Sequence, residues 1–212
     1  MFSLISGLCQ SYLEKKQYHL LLLGLDGSGK TSLLERIRFE ASKTSSSEKR
    51  TEQELQLSLQ KISSTVGLNI GRITLKSANV MIWDLGGQEA LRGIWDKYYS
   101  DAHGLVWVVD ASDPSRFEEA LQTLEGLLEE PELQDVPLLI FVNKQDKQGA
   151  VKLDEIRQKA LPQSGTLMHQ RQLRIISVSA FQACSGSEET VMDGMNWMID
   201  SLNKQPNFEH RR

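Results

Sequence analysis

Three things are scarce in this sequence of 212 residues: cysteine, basic charge and long apolar runs. Its two cysteines, Cys9 and Cys184, show no metal-ligand spacing, which argues against a disulfide scaffold or a zinc site and predicts a reducing compartment. Lysine and arginine number 24 against 28 aspartates and glutamates, so the formal charge is −4. A chain without a basic excess is not expected to be a general nucleic-acid binder or to attach to anionic lipid by charge alone.

No apolar run in the sequence is long enough to cross a bilayer. The leucine run at residues 20–23, for example, ends at Gly24, whereas a spanning helix needs about 20 apolar residues. Ser6 and Gln10 interrupt the apolar N-terminal stretch, and Lys15 follows it rather than preceding it, which is not the order of a secretory signal. We therefore expect an intracellular protein without a membrane span of its own.

What is present is a globular composition, with 40% hydrophobic and 25% charged residues, in which short apolar runs alternate with longer amphipathic stretches. This alternation predicts a three-layer α/β fold around a six-stranded, mostly parallel sheet with one antiparallel edge strand. The predicted strands are 20–23, 70–75 (the edge strand, joined by a hairpin to the next), 80–83, 105–109, 138–142 and 174–178. The predicted helices are 31–40, 114–129, 153–161 and 188–202.

The chain is long enough for one ordinary domain, which we place at residues 17–204. An amphipathic helix over residues 1–16 precedes it, and a short polar tail, residues 205–212, follows. Two polar insertions, at about residues 41–60 and 181–189, interrupt the pattern, and a short helix is predicted near the end of the first, at 52–62. Solvated surface loops are the simpler interpretation of both insertions, and contact with a specific partner is the alternative.

Residues 24–31 read GLDGSGKT and match the complete phosphate-loop pattern G-x-x-x-x-G-K-[ST], between a predicted strand and a predicted helix. The glycines let several backbone N–H groups face one phosphate chain, and the following helix adds its N-terminal dipole. Lys30 would bridge the β- and γ-phosphates, and the Thr31 hydroxyl would ligate Mg²⁺. The phosphate contacts predicted from this segment are Asp26, Gly27, Ser28, Gly29, Lys30, Thr31 and Ser32.

Residues 143–146, NKQD, follow the predicted strand 138–142 directly and indicate guanine recognition. The Asp146 carboxylate can accept hydrogen bonds from N1–H and the exocyclic amine of guanine, a donor pair that adenine lacks. Asn143 would tie this loop to the phosphate loop, and Lys144 would lie along the base. Ser179 and Ala180 are predicted to offer a backbone contact to guanine O6; an ordinary strand end is the alternative. A phosphate-loop metabolic kinase fits this pattern less well.

Two further segments have the composition of nucleotide-sensing switches. In the second switch, residues 84–88, Asp84 would hold a water on Mg²⁺, the Gly87 amide would contact the γ-phosphate, and Gln88 would be the catalytic residue that orients the attacking water. In the first switch, residues 63–67, Thr65 is the candidate second Mg²⁺ ligand. The predicted metal site thus consists of Thr31, Thr65 and, through water, Asp84.

Together these motifs resemble the Arf branch of the Ras-like small GTPases. GLD at 24–26, WDLGGQE at 83–89, WDKYY at 95–99, VDASD at 109–113 and NKQD at 143–146 carry the resemblance. TVGLNIG at 65–71, with Leu68 where Arfs usually have Phe, narrows it to the Arf-related protein subgroup. The resemblance runs from about residue 4 to residue 202. Ser64 departs from the family, which often has Pro there.

The resemblance implies a three-layer G domain that binds GTP or GDP with Mg²⁺, is loaded by an exchange factor and recruits effectors. It also implies slow hydrolysis unless an activating protein assists. Asp26 lies too close to the phosphates to help, and no arginine in the sequence stands out as a finger supplied in cis, so we expect one in trans. A GTP-dependent scaffold with negligible hydrolysis is the alternative.

Membrane attachment is predicted from the N-terminal segment, in which Phe2, Ile5, Cys9 and Leu13 follow helical spacing. The resemblance implies a helix released to membrane with GTP, coupled to sliding of the hairpin 69–83; a helix packed permanently on the core is the alternative. Phe2 in place of Gly argues against myristoylation, and a C-terminus without cysteine argues against prenylation.

The subgroup that the sequence resembles acetylates its N-terminus and docks through a Golgi membrane protein. We therefore expect a cytoplasmic monomer, peripheral on Golgi and trans-Golgi membranes in vesicle-mediated transport. Its attachment would depend on the first helix and a membrane-protein receptor.

Overall fold

The computed structural model describes residues 15–43, 50–76, 78–160, 171–182 and 189–205. The predicted N-terminal helix lies outside the described residues except for its last two. Residues 183–188 of the second insertion and the tail after Gln205 lie outside them as well. Within the described ranges, no helix is both long and apolar enough to cross a bilayer.

The described residues form six strands, which are β1 Lys16–Leu23, β2 Leu68–Leu75, β3 Ala78–Leu85, β4 Gly104–Asp110, β5 Leu138–Asn143 and β6 Leu173–Ser177. They make one sheet in the spatial order β2-β3-β1-β4-β5-β6. All neighbouring pairs are parallel except β2 and β3, which form an antiparallel hairpin with Ile73 opposite Val80. The predicted six-stranded sheet with one antiparallel edge strand is confirmed.

The described residues form six α-helices and three short 3₁₀ turns. The α-helices are α1 Lys30–Lys43, α2 Glu52–Gln60, α3 Glu89–Arg92, α4 Phe117–Glu129, α5 Leu153–Ala160 and α6 Val191–Lys204, and the turns are Trp95–Tyr98, Pro114–Arg116 and Pro131–Leu133.

Two helix starts differ from the sequence prediction, for local reasons. The predicted helix 114–129 begins as an α-helix only at Phe117, because Pro114–Arg116 forms a separate 3₁₀ turn. The last helix begins at Val191 rather than residue 188, because Thr190 and Asp193 form a reciprocal capping box. One helix also ends later than predicted. Helix α1 continues to Lys43, so the first residues of the predicted first insertion, from residue 41, are helical.

The core lies on both faces of the sheet, which gives the predicted three layers. On one face, α4 and α5 contribute Leu124 and Ile156 to a cluster that also contains the buried Trp107. On the other face, α1 and α6 cover the strands, and the apolar stripe of α6 is fully buried. Because both faces are covered, β5 is buried along its whole length. The loops at the carboxyl edge of the sheet are therefore held on a rigid support.

Candidate nucleotide-binding site

The predicted site residues come together at the carboxyl edge of the sheet, where the loops after the parallel strands meet. A cleft of about 610 Å³ opens there between the phosphate loop, the first switch and the start of α3. Its lining residues are Asp26, Gly27, Gly29, Lys30, Thr31, Ser32, Ile62, Ser63, Ser64, Thr65, Gly87 and Gln88.

The phosphate loop connects β1 to α1 through a backbone that glycine alone adopts easily. Gly24 and Gly29 have φ values of 146° and 91°, in the region that L side chains rarely occupy. Space is also limiting, because a Cβ on Gly24 would lie 2.4 Å from the Val108 carbonyl oxygen and one on Gly29 would lie 2.4 Å from Asn143 Nδ2. The loop thus approaches β4 and β5 more closely than any side chain would permit.

Lys30, the first residue of α1, is buried beneath this loop. Its Nζ donates hydrogen bonds to the carbonyl oxygens of Gly24, at 2.9 Å, and Leu25, at 2.8 Å. Burial lowers the pKa of Lys30 to about 8, against the opposing attraction of Asp84 and Asp26. A phosphate chain on the loop would favour the charged ammonium and raise this pKa.

Three oxygen-bearing side chains from three segments meet beside Lys30. Thr31 Oγ1 lies 2.6 Å from Thr65 Oγ1 and donates to Asp84 Oδ2 at 2.7 Å. Asn69 Nδ2, from β2, donates to the same carboxylate oxygen at 3.3 Å. Asp84 is fully buried, and burial raises the pKa of its carboxyl despite these hydrogen bonds.

The donor set of this cluster fits a hard divalent cation. Both hydroxyls and the carboxylate are oxygen donors, the class that Mg²⁺ prefers. Asp84 Oδ1 is buried and has no hydrogen-bond partner among the described residues, so one oxygen of the carboxylate is available to a metal-bound water. The three residues predicted to form the metal site therefore lie together, and Asn69 is an addition that the sequence did not reveal.

The second switch lies directly against the phosphate loop. A Cβ on Gly87 would approach the Gly24 carbonyl oxygen to 2.3 Å and the Asp26 nitrogen to 2.5 Å, so no other residue fits there without displacing the loop. Trp95 Nε1 donates to the Gly86 carbonyl oxygen at 3.0 Å. Gln88 is exposed at the start of α3, on the wall of the cleft.

The base side of the site is assembled by hydrogen bonds between the segments at the carboxyl ends of β5 and β6. Asn143 is buried, and its Nδ2 donates to the Ser28 carbonyl oxygen at 2.9 Å, which links this side to the phosphate loop as predicted. Ser179 Oγ donates to Asp146 Oδ1 at 2.5 Å. In the Ser179–Ala180 segment, which is predicted to offer a backbone N–H to guanine O6, the Ala180 amide donates to Asn143 Oδ1 at 3.2 Å.

Lys144 adopts a positive φ of 66° at the start of this loop. Its Nζ lies 2.6 Å from Asp110 Oδ2 at the end of β4. The ion pair holds the end of the lysine side chain at the carboxyl end of β4. The contacts of these residues with a base stay predictions.

Sequence reasoning missed a chain of charges that surrounds the phosphate loop. Arg116 Nη2 lies 2.8 Å from Asp26 Oδ1, and Glu119 lies between Arg116 Nε, at 3.0 Å, and Arg92 Nη2, at 2.6 Å. Arg92 Nε in turn donates to the Gly87 carbonyl oxygen at 3.0 Å. Hydrogen bonds from Arg116, and then from Arg92, lower the pKa of Glu119 to about 2.

The same network also lowers the pKa of Asp26, the acid in the phosphate loop. Hydrogen bonding to Arg116 holds the pKa of Asp26 below its usual range. The sequence signal for this pair was Asp26 itself, because an acid so close to a phosphate site is expected to need a neighbouring cation. No local pattern around Arg116 identified it as that cation.

Comparison with known proteins agrees with this geometry. The Arf profile, which describes the ADP-ribosylation factor family, matches residues 3–202. ADP-ribosylation factor-related protein 1 of Bos taurus is 36% identical over 200 residues, which cover 94% of this chain and 92% of that protein. ADP-ribosylation factor-like protein 3 of Saccharomyces cerevisiae is 35% identical over 205 residues, with coverage of 96% and 95%.

A solved structure shares the fold. The Arl6 BBS3 small GTPase of Trypanosoma brucei, with the bound nucleotide analogue GppNp, superposes with a TM-score of 0.72 at 24% identity. The match covers 90% of this chain and 99% of that one.

Proposed function

Because the chain belongs to the ADP-ribosylation factor family, whose members are GTP-binding switches and GTP hydrolases, we propose that its cleft holds GTP or GDP together with Mg²⁺. Family membership also confirms the resemblance drawn from the sequence motifs. The observation that carries the proposal is the contact of Thr31, Thr65 and Asp84. It joins the phosphate loop, the first switch and the second switch in one group of oxygen donors.

Each residue has a distinct role in this proposal. Thr31 and Thr65 would hold the magnesium ion directly and Asp84 would hold it through water, while Lys30 would neutralise the β- and γ-phosphates. The ion itself supplies neutralisation of phosphate charge. Gly87 presents its amide to the γ-phosphate, and Gln88, exposed on the cleft wall, orients the attacking water.

Hydrolysis by the chain alone is proposed to be slow. Arg92 and Arg116 reach the loops around the cleft, yet both are held by Glu119, and Arg116 is also held by Asp26. Because both guanidinium groups are already ion-paired, neither is placed to stabilise the negative charge that develops on the transferred phosphoryl group. An arginine supplied by an activating protein is worth on the order of 10³–10⁵ in rate.

Single-turnover GTP hydrolysis tests these roles, with and without the catalytic domain of an Arf-family activating protein. We expect Gln88→Leu to bind GTP normally and to lower the stimulated rate by about 10²-fold or more. Gln122→Leu, on the exposed side of α4, is the matched control. An unchanged stimulated rate in Gln88→Leu would remove Gln88 from its role. A wild-type chain that the activating domain never stimulates would instead favour a GTP-dependent scaffold.

We further propose that the GTP-bound protein recruits effectors through the first switch and the edge strand. Val66 is 80% exposed, and Leu68 and Ile70 are 36% exposed, an arrangement of large apolar side chains that favours a protein partner. Thr65 precedes Val66 directly, so its contacts with Thr31 position this surface. An exchange factor would load the nucleotide.

The proposed location is the cytoplasmic face of Golgi and trans-Golgi membranes, where the protein would act as a peripheral monomer in vesicle-mediated transport. The support is the helical spacing of apolar residues from Phe2 to Leu13 together with the similarity to ADP-ribosylation factor-related protein 1. A net charge of −4 leaves little attraction to anionic lipid. Attachment is therefore proposed to need the N-terminal segment and a membrane-protein receptor.

Co-sedimentation with Golgi membranes tests this location. The protein is loaded with GDP or with a non-hydrolysable GTP analogue, and a variant without residues 1–14 serves for comparison. We expect the GTP-analogue form to sediment, the truncated variant to stay in solution, and protease treatment of the membranes to lower binding. Equal sedimentation of the truncated variant would place the anchor elsewhere.

A further inference from the structure

Helix α2, in the inserted segment between α1 and the first switch, is docked on the body of the protein. Thr51 and Glu54 form a capping box at its start. Leu55 and Leu59 are buried against Phe39 of α1. These three side chains form a small apolar cluster, which we call the insert core, and Ile62 and Phe181 pack against it at its edge.

The insert core connects two parts of the nucleotide cleft. Ile62 lines the cleft at the entrance to the first switch. Phe181 follows Ala180 on the base side. Because both side chains pack against the same cluster, the position of α2 is coupled to both segments.

Arg36 of α1 makes the polar part of this connection. It is buried, with 3% of its surface exposed, and its Nε donates to the Ala180 carbonyl oxygen at 2.9 Å while Nη2 donates to the Phe181 carbonyl oxygen at 3.1 Å. The same Nη2 lies 2.7 Å from Glu52 Oε1 at the start of α2. A buried guanidinium is costly unless such partners surround it, so these contacts hold the three segments in one arrangement.

Gln56 adds a second link from α2 to the base side, since its Nε2 donates to the Phe181 carbonyl oxygen. The backbone of Ala180 is also fixed, at both of its polar groups. Its carbonyl oxygen binds Arg36, and its amide binds Asn143 Oδ1. Rotation of this backbone away from the base would break the contact with Arg36, which is itself paired with Glu52 of α2.

We propose that α2 is a built-in brace of the guanine pocket that slows nucleotide release, with Arg36 and Gln56 as positioning residues. The proposal rests on the proposed contact of residues 179 and 180 with the base. Docked α2 keeps the Ala180–Phe181 backbone in place, and undocking of α2 loosens the base and the first switch together. The inserted segment thus tunes the lifetime of the bound nucleotide.

The test is the dissociation rate of fluorescently labelled GDP and of a labelled non-hydrolysable GTP analogue from the full chain in excess Mg²⁺. Gln56→Met keeps the size and helix propensity of the side chain but removes the donor to Phe181. We expect it to release both nucleotides about 3- to 10-fold faster. Gln53→Met, on the exposed side of the same helix, is the matched control and is expected to release them at the wild-type rate. Glu52→Gln, which removes the charge opposite Arg36, is expected to act in the same direction as Gln56→Met.

Two further readouts separate positioning from general destabilisation. We expect the urea midpoints of Gln56→Met and Gln53→Met to agree, and exchange of the Ala180 amide with solvent to be faster in Gln56→Met alone. Equal dissociation rates in Gln56→Met and Gln53→Met would overturn the brace. If they are equal while Asp146→Asn still changes base preference, the guanine site stands without the brace. If Asp146→Asn leaves base preference unchanged, the guanine assignment fails and the brace fails with it.

Discussion

The phosphate end and the base end of the cleft are built in different ways. At the phosphate end, one continuous loop supplies the backbone, and the hydrogen bonds of Lys30 reach residues only five and six positions earlier in the chain. At the base end, Ser179 binds Asp146 across 33 positions, and Arg36 binds Ala180 across 144. A continuous loop is specified locally, whereas the base end depends on the packing of remote segments. In this chain the inserted helix α2 contacts the base end, where Gln56 donates to the Phe181 carbonyl oxygen.

The largest expected effect comes from changing base recognition itself. Asp146→Asn replaces the proposed acceptor for the two guanine donors with a group that also donates. We expect the preference for GDP over xanthosine diphosphate to change by about 10²–10⁴-fold, because two charge-assisted hydrogen bonds are lost. Competition against labelled GDP measures the ratio.

Asp154→Asn, at a side chain that is 88% exposed, is the control for Asp146→Asn. Phosphate-end contacts are unchanged in both variants, so binding of the diphosphate group should persist. Unaltered selectivity in Asp146→Asn would show that the base is read elsewhere.

The next largest expected effect is a loss of stability on changing Asn143, which connects the two ends of the cleft. Asn143→Ala leaves the Ser28 carbonyl oxygen and the Ala180 amide without their buried partner, and we expect the free energy of unfolding to fall by about 2–5 kcal/mol. Urea denaturation without nucleotide measures it. Asn79→Ala, at an exposed position in β3, should cost about 0.5 kcal/mol or less. Similar losses in the two variants would mean that the ends are joined by other contacts.

The smallest expected effect concerns the charges outside the phosphate end. The pKa of Glu119 is lowered to about 2 by hydrogen bonds from Arg116 and Arg92, so its stabilisation is present above about pH 4.5 and is lost as the pH falls toward 2. Glu119→Gln should lower the melting temperature at pH 6 and have little effect near pH 2. The pairs are partly exposed, which limits the effect to below about 1 kcal/mol.

Thermal unfolding at several pH values, with Glu129→Gln as control, checks the Glu119 prediction. A loss that is the same at pH 6 and near pH 2 would contradict the assignment to the arginine pairs. Such a result would indicate instead that Glu119 acts through packing.

The contrast between the two ends also explains what could be predicted from the sequence. The strands, the phosphate loop and the residues of the metal cluster follow from local patterns, because a buried strand and a glycine-rich turn are specified within a few residues. The starts of α4 and α6 were misplaced because a proline turn and a capping box, rather than apolar periodicity, decide them. Arg36 and Arg116 were missed because their partners, Ala180 and Asp26, lie 144 and 90 positions away, and no local pattern encodes such a pairing.

The pairing of Asn69 with Asp84 across the hairpin has a consequence for how β2 moves. Asn69 lies opposite Asp84 in the ladder between β2 and β3, and both belong to the oxygen cluster with Thr65 and Thr31. A displacement of β2 by two residues along β3 would carry Thr65 about 7 Å along the strand, beyond hydrogen-bond reach of Thr31. The contact between the two threonine hydroxyls therefore depends on the alignment of β2 with β3, which links the proposed metal site to the position of the hairpin.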